Sequence, residues 1–459
     1  MMPGKGMGSV PPDIDPTPRA MSSPATFDLE SAGRGRLPSW AYALVALVSM
    51  LLGATSIVRG TSALGSISDS DLSNFFLKSA EYVLRGDAWQ LYSVRHTPLT
   101  TYPNDGTPLS VFLMAPPLSF AHSLGLADDY KQQIIAVSLP FVLLAPLLGY
   151  LALRALRLLN PDLPDALRLL AFSLVTLSPL LWLSYSPWGH LEQPLMLCFL
   201  VATMIALQAR REMLAGVLAA LTVLSGVIAL FPLLGVGVLL LAHRQWRAFL
   251  KVGGTGGVLA VLAMAPFFLL DRADAVYSFL TWRGRAQIGA NSLWVLFDLG
   301  SPSGGSLRRI VAAVARRLDV PSMLLLIALI AFLAARRLLI SAYSPEAWGV
   351  MVIAALALPS LTKLNWPYYY LQPFVLLLIW EFGTLRDRCS ELWRWPVLTI
   401  GFLLVAATFS DYIGLKSVGA IDKIAVGVSQ SAAMFAFAFA AWRRLRAWPP
   451  ETTAGLRAP

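Results

Sequence analysis

The sequence predicts an all-α, polytopic membrane protein, and three observations lead to that prediction. Of its 459 residues, 56% are hydrophobic and only 14% are charged, whereas a soluble globular chain carries about 25% charged residues. The apolar residues are gathered in runs long enough to cross a bilayer. Arg and Lys stand in short clusters between those runs. A chain with so few charges cannot cover a surface that faces water, which excludes an ordinary cytosolic enzyme and a disordered or fibrous protein.

About twelve transmembrane helices are expected, because lipid leaves backbone groups no partner outside a helix. The runs are residues 40–58, 134–153, 167–185, 194–207, 213–228, 230–242, 252–270, 320–335, 347–361, 366–382, 396–410 and 424–442. Arg34 and Arg36 precede the first run, and the bias of Arg and Lys toward the cytoplasmic side then puts both termini in the cytoplasm. The same bias explains the net charge of +10 without nucleic acid as a partner.

The chain divides into a membrane domain and two tails. Residues 1–38 are rich in Pro, Gly and Ser and predict a disordered cytoplasmic tail. Residues 39–443 form the membrane domain, with long outer loops at 59–133 and 271–319, and residues 444–459 form a second cytoplasmic tail. The arginines of the second loop, among them those at 283, 285, 308, 309, 316 and 317, go against the charge bias and call for an explanation of their own.

The first outer loop is expected to carry two interfacial helices. Residues 71–85 have helical spacing of apolar side chains. Residues 109–120 are apolar but short, and Pro116 and Pro117 interrupt them. A membrane-spanning second segment is the competing interpretation, and it would reverse the sidedness of the basic clusters that follow.

Ionisable residues gather in the outer loops and turns, so the sequence predicts a functional site at the outer membrane boundary. Asp69 and Asp71 follow the first span. Asp71 either caps the next helix or serves as a general base that removes a proton from a hydroxyl. The pair also suits a divalent metal, although two acids alone favour it weakly. Among the other residues, two cysteines and four scattered histidines supply no disulfide framework and no thiolate or zinc site.

Three further groups are candidates for the same site. Arg283 and Arg285, with Asn291 nearby, suit the phosphate of a lipid head group, and interfacial anchoring is the alternative. Lys363 adds a positive charge, while the aromatic residues at 366–370 predict an interface belt. His190 and Glu192 occupy a short turn between spans, where they either hydrate the turn or contact sugar hydroxyls or the acceptor. Their spacing excludes a shared helical face.

These motifs, in their order along the chain, resemble the GT-C superfamily of integral membrane glycosyltransferases, and within it a bacterial mannosyltransferase-like branch that depends on polyprenyl-phosphate sugars. An acid before a helix at 71–75 is followed by Gly86, Tyr92 and the Tyr102-Pro103 element. The turn at 188–192 is similar to the family's Trp-Gly-Gln-x-Asp turn, with His and Glu in place of Gln and Asp. The segments at 283–294 and 368–373 also look like the family.

The resemblance implies a catalytic role for one outer-loop acid, with Asp71 as the best match and Asp69 as the second. It further implies a donor phosphate near Arg283, Arg285 and Lys363. Sugar or acceptor contacts are then expected from His190, Glu192, Tyr102 and Asn291.

The predicted function is transfer of a hexose, with mannose as the first candidate, from a polyprenyl-phosphate donor to a lipid or glycan acceptor at the outer membrane face. The reaction is expected to invert the sugar carbon and to need no cofactor. Membrane lipids are the remaining partners. A transporter or lipid flippase is the alternative function, and it predicts pseudo-symmetric halves and polar groups at mid-membrane depth. A noncatalytic scaffold that retains the fold is a third possibility, and it predicts that neither acid faces a cavity.

Overall fold

The computed structural model describes residues 38–65, 70–93, 106–185, 189–278, 292–294, 306–363, 365–385, 396–411 and 420–447. Within these ranges the chain is helical and contains no β-strand, and this confirms the predicted all-α, polytopic class. The residues 1–37 and 448–459, which hold most of the two predicted tails, lie outside the described part.

Eighteen α-helices are described, joined by short π and 3-10 turns. Their bounds are Ser39–Ser62, Leu77–Leu84, Pro108–Ser123, Tyr130–Ser138, Leu144–Leu159, Asp165–Thr176, Pro179–Tyr185, Glu192–Gln208, Glu212–Ser225, Leu230–Ala242, Trp246–Phe249, Thr255–Leu270, Arg272–Val276, Ser306–Arg337, Ala347–Leu361, Leu371–Gly383, Val397–Asp411 and Ala420–Arg446. The π turns are Leu72–Phe76 and Leu250–Gly254, and the 3-10 turns are Ala88–Gln90, Leu139–Leu143, Val227–Ala229 and Pro367–Tyr370.

Six helical segments of the described chain are long and apolar enough to cross a membrane: Ser39–Ser62, Tyr130–Leu159, Asp165–Tyr185, Trp246–Leu270, Arg317–Arg337 and Ala425–Arg446. Five shorter apolar helices accompany them. A span of the hydrocarbon core takes about 20 residues, so the shorter helices fall below that length by themselves. One pair of them, Glu212–Ser225 and Leu230–Ala242, is joined by the Val227–Ala229 turn. These two helices correspond to the two short apolar runs that the sequence predicts at 213–228 and 230–242.

Two helices form the centre of the bundle because they are apolar on every side. Ala347–Leu361 is buried at nearly all positions, and it contacts Leu230–Ala242, Leu371–Gly383 and Ala420–Arg446. Glu192–Gln208 is buried along most of its length. Thr255–Leu270 buries few residues, so it lies at the periphery with its apolar side chains exposed.

The loop after the first helix contains two helices that pack on each other, Leu77–Leu84 and Pro108–Ser123. Pro116 and Pro117 do not interrupt the second one, which runs through both prolines for 16 residues. The expected break at these prolines is therefore wrong. At a rise of about 1.5 Å per residue the helix is roughly 24 Å long, shorter than a bilayer core.

The arginines of the predicted second outer loop lie partly on a helix. Ser306–Arg337 is one helix of 32 residues, about 48 Å long. Only its part Arg317–Arg337 is apolar enough to cross a membrane. The sequence places the start of the span near 320 and a loop before it. The structure is helical from Ser306 because Ala, Arg and Leu, which favour helix, dominate residues 306–318.

A buried ion pair joins the last three helices. Glu381, fully buried, accepts hydrogen bonds from the backbone N–H and the hydroxyl of Thr399, at 2.6 and 2.8 Å. Its other oxygen pairs with Arg444, whose second nitrogen donates to Thr384 at 3.1 Å. The guanidinium also lies over the Trp380 ring, 4.9 Å from its centroid. Both charges are therefore compensated, as burial requires.

Candidate active site

Asp71 does not cap the helix that it precedes. Its backbone is already helical, with φ −65° and ψ −29°, and its side chain accepts no hydrogen bond from the following amides. An N-cap residue normally has extended dihedrals and makes such a bond, so the capping interpretation is wrong. The Asp71 carboxylate instead meets His190, with Oδ2 3.0 Å from Nε2.

A π turn directly after Asp71 fixes the position of this residue. Leu72–Phe76 forms this turn, and the helix Leu77–Leu84 continues it. Leu72 and Phe76 are both completely buried. A π turn accommodates one extra residue per turn and occurs often at functional sites. Here it buries two apolar side chains directly after Asp71, which fixes the position of the acid.

Gly189 brings the second half of the site against this turn. Its φ is +72°, a left-handed conformation that favours glycine. A Cβ atom at position 189 would lie 2.4 Å from Cβ of Leu72, closer than any real contact. The backbone at 189 thus passes directly over Leu72, and this close approach delivers the next residue, His190, to Asp71.

His190 and Glu192 contact each other across the start of the helix Glu192–Gln208. His190 Nδ1 lies 2.5 Å from Oε1 of Glu192. The spacing of the two residues excludes a shared helical face. The contact forms nevertheless, because His190 lies before the helix and not on it. The same Oε1 accepts a hydrogen bond from Nε2 of Gln193 at 3.2 Å. The imidazole therefore stands between two carboxylates that come from separate parts of the chain.

Aromatic rings hold the imidazole on two sides. Tyr368 lies over it with a centroid distance of 3.7 Å and an interplanar angle of 32°. Phe76 meets it edge-on at 6.0 Å. Tyr368, Tyr369 and Tyr370 are all buried, so the expectation that they form an exposed interface belt is wrong. Tyr368 belongs to the site, and sequence reasoning did not find it.

The electrostatics of the site favour a charged imidazole. Burial disfavours the protonated ring, but the neighbouring Glu192 and Asp71 carboxylates outweigh that effect and raise the pKa of His190 well above its usual value. His190 and Glu192 are both buried, whereas the Asp71 side chain is 24% exposed. The acid at the open end of the cluster is therefore the one that a substrate can reach.

Two buried oxygens beside the imidazole have no hydrogen-bond partner within the described part of the chain. They are Oε2 of Glu192 and Oε1 of Gln193. Buried acceptors normally find a donor, and hydroxyl groups or water supply donors. Gln193 is a second site residue that the sequence did not single out.

Lys363 lies on the segment that leads to Tyr368, and only 1% of its surface is exposed. The helix Ala347–Leu361 ends just before Lys363, and its last carbonyl, that of Leu361, accepts a hydrogen bond from the Trp294 indole at 2.6 Å. The ring of Trp366 is stacked near Tyr368 at 6.5 Å. These contacts place the Lys363 segment beside the imidazole cluster and next to the segment that carries residues 292–294.

Lys78 is a further cation that sequence reasoning missed. It follows Asp71 on the next helix, Leu77–Leu84, and its Nζ is buried with no hydrogen-bond partner among the described residues. Burial lowers the pKa of Lys78, and the nearby Glu81 offsets part of that effect. A buried ammonium of this kind attracts an anion. Lys78 lies seven residues after Asp71, which corresponds to about 10 Å of rise along a helix.

Five predicted site residues lie outside the residues that the structure describes. They are Asp69, Tyr102, Arg283, Arg285 and Asn291. Their predicted roles stay predictions. Within the described ranges, no group of three or more His, Cys, Asp or Glu side chains is arranged to hold a metal ion.

Comparison with curated proteins gives no match. The family model of glycosyltransferase family 87 matches residues 102–362, more than half of the chain. The matched region includes His190 and Glu192; it begins after Asp71 and ends before Lys363 and Tyr368.

Proposed function

The chain belongs to glycosyltransferase family 87, a family of GT-C-type membrane glycosyltransferases, and from this premise we propose that it moves a hexose from a polyprenyl-phosphate donor to a lipid or glycan acceptor with Asp71 as the general base. The observation that carries the proposal is the partly exposed Asp71 carboxylate, held by a buried His190 that has Glu192 behind it. The sidedness of the basic clusters in the sequence supports an outer-face site.

The proton of the acceptor hydroxyl is taken up by Asp71. Oδ2 faces His190, so Oδ1 is the oxygen that receives the proton. The acceptor oxygen then forms a bond to the sugar carbon while the bond from that carbon to the phosphate oxygen breaks. This single displacement inverts the sugar carbon and leaves the electron pair on phosphate. A general base contributes about 10²–10⁴-fold to such a step.

The leaving group needs positive charge and no general acid, because a phosphate is a weak base. Lys78 supports this part of the proposal, since its buried ammonium lacks a partner among the described residues and lies on the helix that follows Asp71. Lys363, Arg283 and Arg285 complete the proposed phosphate site. Fixed cations at the point where charge develops stabilise the transition state.

A lipid-borne donor is consistent with the apolar helices around the site. The helix Pro108–Ser123, packed against the Lys78 helix, exposes Phe112, Leu113 and Phe120. A chain of isoprene units beside such a surface would remain in an apolar environment while its phosphate reached the outer loop. Mannose is the first sugar to test, because the motifs resemble a mannosyltransferase-like branch.

The proposal is tested with the purified full chain in liposomes, with octyl mannoside as the stand-in acceptor. Mannosyl, glucosyl and galactosyl polyprenyl phosphates are compared with the corresponding sugar nucleotides as donors. We expect transfer from a polyprenyl phosphate, no transfer from any nucleotide, and an inverted glycosidic linkage in the product by NMR. Transfer from a sugar nucleotide, or retention of configuration, would contradict the proposal.

A further inference from the structure

The imidazole of His190 is contacted by two carboxylates, one at each ring nitrogen. Nε2 lies 3.0 Å from Asp71, and Nδ1 lies 2.5 Å from Glu192. An ionised carboxylate only accepts hydrogen bonds, and an imidazole donates from both nitrogens only when it is doubly protonated. With a neutral ring, one nitrogen lone pair would face a carboxylate oxygen at hydrogen-bond distance, which is repulsive.

We propose that His190 is a positioning residue that acts as an imidazolium bridge, and that Glu192, as its second anchor, keeps the ring charged and Asp71 oriented. The inference rests on the proposed role of Asp71 as the general base and goes beyond it, because it assigns to His190 and Glu192 a task other than contact with sugar or acceptor. Neither residue touches the reacting atoms in this account.

Glu192 has a specific task in the bridge, which is to compensate charge. A buried imidazolium is costly unless its charge is compensated and both of its ring N–H groups have acceptors, and Asp71 meets only one of the two nitrogens. With Glu192 on the opposite nitrogen, the three groups together carry one negative charge, as an isolated carboxylate does. Glu192 therefore stabilises the imidazolium, which in turn fixes the orientation of Asp71.

The surroundings of the ring stabilise its protonated form in two further ways. The face of Tyr368 lies 3.7 Å from the imidazole centroid, and an aromatic face attracts a cation. The two carboxylates raise the pKa of His190. The charged and titratable side chains that contact the ring from the three neighbouring elements of the described chain are Asp71, Glu192 and Tyr368.

The bridge releases no proton during transfer. The acceptor proton moves to Oδ1 of Asp71, while the proton on Nε2 of His190 stays in its hydrogen bond to Oδ2. The rest of the step is unchanged: one bond forms at the sugar carbon and one breaks, with the electron pair left on phosphate. The three groups end the step with no net charge, and the acid proton then returns to solvent from Asp71, the exposed member.

The protonation state of His190 can be measured without any substrate. The chain has only four histidines, at positions 96, 122, 190 and 243, so ¹⁵N-histidine labelling of the full chain gives four sets of ring signals. His190→Gln identifies the signal of interest. If that variant fails to accumulate, the three other His→Gln variants identify it by elimination. We expect both nitrogens of His190 to be protonated at pH 7.

Glu192→Gln is the variant that tests the bridge directly. Removing a contacting carboxylate shifts a neighbouring pKa by about 1–3 units, so the variant should lower the pKa of His190 by that amount. Glu81→Gln removes a carboxylate that pairs with Arg85 in the loop that carries Asp71, and it should leave the pKa of His190 unchanged. A neutral His190 at pH 7 in the unmodified protein, or no change in Glu192→Gln, would overturn the proposal.

Kinetics separate this inference from the proposed function. Glu192→Gln and His190→Gln should lower kcat by about 10- to 100-fold, the cost of misplacing a reacting group, with the donor KM unchanged. If Asp71→Asn remains active while His190 is doubly protonated, the proposed function fails and the bridge is structural only. If Asp71→Asn is inactive while His190 is neutral, the bridge fails and the base assignment stands.

Discussion

Oδ2 of Asp71 lies 3.0 Å from Nε2 of His190, although 119 residues separate them in the chain. Asp71 starts the helical part of the loop after the first helix, and His190 lies in the turn before the central helix Glu192–Gln208. The match to glycosyltransferase family 87 covers only His190 of the two. The contact therefore joins the family-matched region to the acid that is proposed as the general base.

The pH dependence of activity should have an alkaline limb that belongs to His190. Because the pKa of His190 is raised, the ring remains protonated at pH values above the usual pKa of histidine. It loses its proton only as the pH rises through the raised pKa. Activity should fall there, since the closer contact with Glu192 keeps the remaining proton and Asp71 loses its donor. Steady-state rates measured from pH 5 to 10 test this.

His190→Gln should remove the alkaline limb, because an amide donates a hydrogen bond without titrating. His122→Gln is the matched control, since His122 has no hydrogen-bond partner at Nε2 among the described residues and lies in Pro108–Ser123. It should keep the limb. An unchanged alkaline limb in His190→Gln would assign the titration to another group.

Gly189→Ala should damage the site more than Gly86→Ala, although both positions have a positive φ, +72° and +83°. Each substitution costs about 1–2 kcal/mol of backbone strain. At 189 the new Cβ also collides with Leu72, whereas at 86 it meets nothing within 4 Å. We expect kcat to fall at least about tenfold in Gly189→Ala only. Equal activities of the two variants would argue against the close approach.

Lys78→Met should raise the KM for the donor more than the KM for the acceptor. Loss of one charge-assisted contact costs about 1.5–3 kcal/mol, or roughly 10- to 100-fold. Lys131→Met is the control, because the Lys131 ammonium donates to the Ser62 carbonyl at the end of the first helix. Initial rates with varied donor give the two constants. A donor KM equal to that of the unmodified protein would remove Lys78 from the phosphate site.

Arg444→Met should destabilise the protein without affecting the site. It leaves the fully buried Glu381 carboxylate without its counter-ion, a change that costs about 3–5 kcal/mol. Thermal unfolding in detergent measures the loss. The double variant with Glu381→Gln should recover part of it, and Arg446→Met, at an exposed position, should behave like the unmodified protein. A full loss of stability in the double variant would contradict this explanation.

Composition and apolar runs were sufficient to predict the all-α membrane fold, because both follow from the cost of backbone groups and charges in lipid. Sequence motifs also identified Asp71, His190 and Glu192 as candidates. The contact between Asp71 and His190 was not predictable, since it depends on the close approach of Gly189 to Leu72. Tyr368 was missed for a related reason: an aromatic run predicts an interface belt, and only the packing shows that the ring is buried against His190.

The most direct measurement of the central claim is sugar transfer by Asp71→Asn, compared with Asp128→Asn, an exposed carboxamide substitution elsewhere in the same loop. Both variants are purified to equal amount and thermal stability, and product is quantified by mass spectrometry with mannosyl polyprenyl phosphate as donor. The account predicts a loss of about 10²–10⁴-fold in Asp71→Asn and full activity in Asp128→Asn. Transfer by Asp71→Asn at the rate of the unmodified protein would contradict it.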